Sequence, residues 1–112
     1  MLLTTTGRKS GLPRTKPLLY LREGDRLIVV ASVGGMKNHP LWYKNLVKTP
    51  EVKVQIGGEL TSHLASTADA SERAKLWPRL VEMYRDYDTY QTWTDRVIPV
   101  VILTPSGGDG KA

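Results

Sequence analysis

Cysteine is absent from the 112 residues, which excludes disulfides, thiolate nucleophiles and cysteine-based metal sites. Histidine occurs twice, at His39 and His63, and neither stands with carboxylates at metal-ligand spacing, so no metal site is expected. No apolar run approaches the roughly 18–20 residues that crossing a bilayer requires. Met1 leads straight into Leu2-Leu3-Thr4 without the graded regions of a signal peptide. A cytoplasmic protein is expected. No serine sits in a nucleophile-elbow setting, and Asp86, Asp88 and Asp95 read as helix-end and loop residues. Self-contained hydrolytic catalysis therefore has no support.

Positive charge is abundant and unevenly placed. Residues 1–53 hold ten Lys/Arg against Glu23, Asp25 and Glu51, a net +7, whereas residues 54–112 hold six against eight, a net −2. A merely solubilising surface needs no such split, so the first half is expected to face an anion: nucleic acid, a phosphorylated cofactor or an anionic membrane. The length suits one domain over residues 1–105. The glycine-rich stretch Ser106 to Ala112 reads as a disordered tail.

Leu2 to Thr6 reads as a first strand and Gly7 to Pro13 as a turn. Arg14 to Arg22 reads as a second strand, in which Pro17 removes a ladder donor and argues for an edge position or a bulge. Glu23-Gly24-Asp25 marks a hairpin into a third strand, Arg26 to Ser32, whose run Leu27 to Ala31 predicts burial on both faces. Pro40 suits the first position of a short helix over Leu41 to Val47, with His39 as its N-cap. Spacing places Leu41, Lys44 and Asn45 on one side of that helix and Trp42 with Leu46 on another. Val52, Val54 and Ile56 alternate with Lys53 and Gln55, and Gly57-Gly58 turns the chain into Glu59 to Ser66.

Asp69-Ala70-Ser71-Glu72 has capping-box spacing for a helix from Ala70, which Pro78 is expected to kink or divide near Trp77. A second helical piece through Tyr87, Tyr90 and Trp93 follows. A last strand is expected over Val97 to Leu103, with Pro99 at an edge or bulge. The pattern predicts a mainly β fold with peripheral helices, a six-stranded antiparallel barrel. Its links are too short for a parallel, doubly wound sheet.

The chemistry-bearing stretch is Thr4 to Pro17. Gly7 and Gly11 let the backbone bend and present N–H groups, and Arg8, Lys9, Arg14 and Lys16 add attraction with no acid among them. The stretch lacks P-loop spacing and does not open a helix. It is either a solvated basic turn or a cradle for an anion. Tyr84, Tyr87 and Tyr90, spaced i, i+3, i+6, follow one helix face with their hydroxyls in a row, and either pack partly into the core or wall a pocket for a flat aromatic molecule. Trp42 and Trp77 suit core or lid equally. Such a chain either only binds, or leaves the reaction to a cofactor.

Leu3-Thr4-Thr5-Thr6-Gly7-Arg8-Lys9-Ser10-Gly11 with Pro13-Arg14, then Pro40 with Trp42-Tyr43 and Asn45-Leu46, resembles the deazaflavin-dependent nitroreductase family. Trp77-Pro78 through Tyr84, Tyr87 and Tyr90, Thr94-Asp95-Arg96 and Ile98-Pro99-Val100 extend the resemblance to Leu2–Pro105. These are actinobacterial oxidoreductases of split β-barrel fold that use coenzyme F420, a flat tricyclic deazaflavin with a phosphate and an oligoglutamate tail. The resemblance implies that Arg8, Lys9, Ser10, Arg14, Thr15, Lys16, Pro17, Leu18 and Leu19 hold the tail, the phosphate and one edge of the head. By the same resemblance Val30, Ala31, Ser32 and Val33 line the head, and Leu41, Trp42, Tyr43, Lys44 and Asn45 approach the phosphate. Tyr87 closes over the ring, while Ser32, Tyr84 and Tyr90 face the second substrate.

The implied reaction is hydride transfer to a quinone or a nitroaromatic acceptor such as a nitroimidazole. Leu19 stands where nitroimidazole-activating members carry tyrosine, and Val33 where they carry lysine, which sets this chain apart from them and implies a weaker grip on the phosphate. The family's amphipathic N-terminal segment is not in this sequence; where it precedes the chain, it implies peripheral membrane contact. A monomer is expected. The alternatives are an FMN-binding split barrel and a nucleic-acid-binding barrel. The latter predicts aromatics interleaved with Lys/Arg on strands, whereas most aromatics here fall in the helical, acidic half.

Overall fold

The computed structural model describes residues 1–32, 39–94 and 97–106. Among them seven strands form one antiparallel sheet: β1 (Leu2–Thr6), β2 (Pro13–Pro17), β3 (Leu21–Glu23), β4 (Arg26–Val30), β5 (Glu51–Ile56), β6 (Glu59–Thr67) and β7 (Val100–Pro105). The helices are α1 (Leu41–Lys48), α2 (Ala70–Met83) and α3 (Asp86–Thr92). None is long and apolar enough to cross a membrane.

The seventh strand corrects the six expected. The stretch Arg14–Arg22 is two strands, β2 and β3, which end up on opposite edges of the order β2-β1-β5-β6-β7-β4-β3. Only Leu18, Leu19 and Tyr20 join them. At about 3.5 Å per residue that link spans no more than ~15 Å, so the sheet must curl until its edges nearly meet. No ladder joins β2 to β3. The result is a split β-barrel.

Proline explains how the open edge is tolerated. Met1 and Leu18 exchange both backbone bonds, at 2.9 and 3.1 Å, so the bonded pairs of this ladder fall at Lys16 and Arg14. Pro13 and Pro17 alternate with these and occupy positions facing away from β1. Their missing donors cost no ladder bond and leave the edge poorly able to pair with another chain. Pro99 precedes the interior strand β7, which starts at Val100 rather than Val97. Its carbonyl accepts from Ala31 N at 2.9 Å. Ser106, expected in the tail, donates its N–H to Ser62 O at 3.0 Å, and residues 107–112 lie outside the described residues.

Alternation along β4 separates two cores. Leu27, Val29 and Ala31 face the barrel interior with Leu3, Trp42, Leu46, Val52, Val54, Val101 and Leu103. Ile28 and Val30 face the other way, onto Leu76, Leu80, Tyr87 and Ile98. The expectation of burial on both faces is met: all five residues from Leu27 to Ala31 are buried.

Asp69 caps α2 by accepting from Glu72 N at 2.8 Å. Pro78 does not divide the helix, because Leu76 and Leu80 on either side of it are both anchored in the second core. The N-cap of α1 is Pro40, not His39; Pro40 has extended backbone and its carbonyl accepts from Tyr43 N and Lys44 N. The buried face of α1 is Trp42, Asn45 and Leu46, with Leu41 exposed, so Asn45 turns inward with the apolar side.

Candidate functional site

The Gly7–Gly11 turn continues the β1–β2 hairpin, with Gly7 N donating to Leu12 O and Gly11 N to Gly7 O, both at 2.8 Å. A Cβ on Gly7 would stand 2.7 Å from Ser10 Oγ and 3.2 Å from Leu12 O, so a side chain there would have to turn the Ser10 hydroxyl away and shift the Leu12 carbonyl slightly. Gly11 has φ +73°, where a side chain is strained. Most of the turn's N–H groups are already engaged: Leu12 N donates to Ser10 Oγ at 3.1 Å and Arg8 N to Asn45 Oδ1 at 3.1 Å. The expected array of presented backbone donors is thereby reduced, and the side chains carry the charge.

Arg8, Lys9, Ser10, Arg14 and Lys16 open onto a groove of about 430 Å³ whose far wall is Leu41, Trp42 and Asn45. No carboxylate pairs with any of the four cations among the described residues. An adjoining cleft of about 290 Å³ shares Lys16, Leu41 and Trp42 and adds Pro40 and Ser32. The two make one path, from the basic turn along α1 to the end of β4. A cleft of similar size on the far side of the hairpin holds Thr4, Thr6, Glu51, Lys53 and His63. There Lys53 Nζ donates to Ser62 Oγ at 3.0 Å and Glu51 offsets its charge, so it lacks the positive excess of the groove.

The three tyrosines do not form one helix face. Tyr84 is the C-cap of α2, while Tyr87 and Tyr90 belong to α3. They form a cluster instead: Tyr84 and Tyr90 hydroxyls stand 3.1 Å apart, and Tyr84 meets Tyr87 edge-on at 4.9 Å between centroids. The hydrogen bond with Tyr90 holds the Tyr84 hydroxyl well above the ordinary phenol range. Burial pushes that of Tyr87 up to about 12. At neutral pH both stay protonated, suited to donate hydrogen bonds and not to act as bases. The cluster packs on Val30, two residues before Ser32, so cluster and groove approach the same end of β4.

The structure thus brings Arg8, Lys9, Ser10, Arg14, Lys16, Ser32, Leu41, Trp42 and Asn45 to one path. It does not bring the others to its lining. Thr15 Oγ1 bonds Thr4 Oγ1 at 2.8 Å, and Tyr43 OH bonds Thr67 Oγ1 at 2.8 Å. Leu18 packs on the barrel core, Ala31 and Val30 are buried, and Pro17, Leu19 and Lys44 are absent from the lining, as are the tyrosines. Val33 lies outside the described residues. Trp42 is core with one edge on the groove. Lys48, not singled out from sequence, donates to Arg8 O at 2.8 Å; its place in the last turn of α1 carried no sign of that contact.

A family model described as F420H(2)-dependent quinone reductase matches residues 1–105. A relative from Mycobacterium tuberculosis, Rv3178, whose name assigns it provisionally to that activity, is 46% identical over 105 residues, covering 94% of this chain and 88% of that protein. A solved structure described as an F420-H2 dependent reductase (FDR-A) is 44% identical, with a TM-score of 0.83 over 91% of this chain and 90% of its own. A second, described as a domain-swapped dimer, is also 44% identical, with a TM-score of 0.84 over 91% of this chain and 77% of its own; it stands against the expected monomer.

Proposed function

Because the chain belongs to the F420H(2)-dependent quinone reductase family, we propose that the cationic groove holds the anionic part of coenzyme F420 and that the acceptor is a quinone. The chain is an oxidoreductase that uses the reduced deazaflavin. The residue assignment is carried by one observation: Arg8, Lys9, Arg14 and Lys16 line a single groove with no carboxylate partner among the described residues. That donor set fits a phosphate followed by an oligoglutamate tail, and the apolar edge of Leu41 and Trp42 fits a flat ring. When bound, reduced F420 supplies the hydride that the acceptor takes up.

The chain's own residues bind, orient and hydrogen-bond. Arg8, Lys9, Arg14 and Lys16 neutralise the anionic tail, and Ser10 adds a hydroxyl at the turn. Leu41 and Trp42 keep water from one side of the path, while Ser32 stands where it meets the end of β4. The tyrosine cluster lies outside the path's lining but approaches its β4 end, and from there the protonated hydroxyls of Tyr84, Tyr87 and Tyr90 would hydrogen-bond the oxygen that gains charge as a quinone is reduced. Leu19 in place of a tyrosine favours a quinone over a nitroimidazole as the acceptor. We place the reaction in the cytoplasm, at the membrane surface where quinones are found. A dimer fits the swapped relative better than a monomer, which light scattering tests.

Fluorescence titration of the purified protein with F420, with FMN and with a short oligonucleotide tests the reading. Salt-sensitive binding of F420 alone supports it, and an acceptor screen starting from menaquinone analogues then tests the quinone. Preference for FMN would overturn the cofactor, and binding of the oligonucleotide alone would overturn the enzyme.

A further inference from the structure

Asn45 is polar and buried, 4% exposed on the inward face of α1. Its carboxamide faces two partners distant in sequence. Oδ1 accepts from Arg8 N at 3.1 Å, and Nδ2 donates to Thr5 Oγ1 at 3.1 Å, on a threonine that is itself 1% exposed. Lys48, one turn further along α1, donates to Arg8 O at 2.8 Å. Both backbone polar groups of Arg8 are therefore held by side chains of one helix. No other turn residue is tied to α1 among the described hydrogen bonds.

We infer that Asn45 is a positioning residue for the basic turn: although its edge is part of the groove wall, both ends of its amide are engaged inward, and it acts by setting the Arg8 backbone so that the turn's cations converge on the groove. The inference rests on the reading of the groove as the coenzyme site. Its physical basis is preorganisation. A glycine-bracketed turn has many conformations, and repulsion among Arg8, Lys9, Arg14 and Lys16 favours those that spread the charges. A ligand that needs the cations together would bear the ordering cost itself unless the protein has already met it. An amide suits this role better than a carboxylate, because it accepts from Arg8 and donates to Thr5 without bringing a negative charge to compete for the cations. It is committed inward, which leaves binding to the exposed side chains.

Two measurements on the full chain test it. In the first, amide hydrogen exchange at Arg8 is followed by NMR in wild type, Asn45→Ala and Thr5→Val. In the second, calorimetric titrations compare F420 with a deazaflavin that lacks the phosphate and tail. Thr5→Val leaves the groove lining and the net charge unchanged, and melting curves confirm that each variant folds. We expect the Arg8 amide to lose protection in Asn45→Ala, and F420 to bind about tenfold more weakly while the tail-less compound changes less than about twofold. Thr5→Val should move both readouts in the same direction by a smaller factor. Unchanged Arg8 protection would overturn the inference, as would equal weakening of both ligands, which a general structural role predicts. So would loss of affinity in Asn45→Ala with none in Thr5→Val and Arg8 still protected, the signature of direct contact. Absence of F420 binding by wild type, with Arg8 protection still lost in Asn45→Ala, would keep the clamp and remove the coenzyme reading.

Discussion

Arg73 stacks on Trp77 with its guanidinium carbon 4.3 Å from the ring centroid, and no carboxylate meets it among the described residues. Its Nε donates to Ile98 O at 3.0 Å and its Nη2 to Gln91 Oε1 at 3.0 Å; Gln91 Oε1 also accepts from Ile98 N at 2.9 Å. One side chain on α2 thus ties α3 to the approach of β7. Burial lowers its pKa, the cost of holding a cation away from water without an ion pair. Delocalised charge and a rigid fork make arginine the residue for such a place.

Arg73→Lys keeps the charge and loses the fork. It should destabilise the fold by about 1–3 kcal/mol, since the carbonyl of Ile98 loses its side-chain donor and the Gln91 amide oxygen one of its two donors. Urea unfolding followed by tryptophan fluorescence measures it. A midpoint unchanged from wild type would show that the arginine links nothing that matters to stability.

Arg14→Ala should weaken F420 binding about tenfold at low salt and flatten the dependence of affinity on ionic strength, because one of four uncompensated cations is lost. Arg22→Ala, at a residue outside the groove lining, serves as the control for net charge. Equal losses from both substitutions would mean that total charge, not the groove, attracts the ligand.

Tyr87→Phe should lower kcat about tenfold with little change in F420 affinity, if the hydroxyl hydrogen-bonds the reduced acceptor. The raised pKa makes a second prediction. The unfolded tyrosine ionises near pH 10 and the folded one near 12, so folding stability falls as pH rises through that window. Melting temperatures of wild type should drop more steeply than those of Tyr87→Phe between pH 10 and 12. Between pH 6 and 9 the substitution should leave the shape of the kcat profile unchanged. Parallel melting curves would show that the hydroxyl is not shielded from water.

Pro78→Ala should stabilise α2 by about 1–3 kcal/mol, because the helix runs continuously through a residue that cannot donate to the carbonyl of Ala74. A rise in melting temperature is the expected result. A fall would mean that Pro78 is needed to orient Trp77, which donates to Asp88 at 3.2 Å and meets Tyr87 at 6.4 Å between centroids.

Local pattern was enough for much of this protein. Alternation in Val52-Lys53-Val54-Gln55, the unbroken run Leu27 to Ala31, the capping box at Asp69 and the acid-free basic turn each announce their structure within a few residues. Their causes are local: strand pleat, helix-end donors and charge density. The break at Leu18–Tyr20 was not legible, because nothing in that stretch forbids a strand; it is the closure of the sheet that sends β2 and β3 to opposite edges. The tyrosine spacing suggested one face, whereas the helix end at Tyr84 folds the row into a cluster. Asn45 is the clearest case. Its helical position is plain in the sequence, but its two partners lie 37 and 40 residues away, and only the packing of α1 against β1 makes it the anchor of the turn.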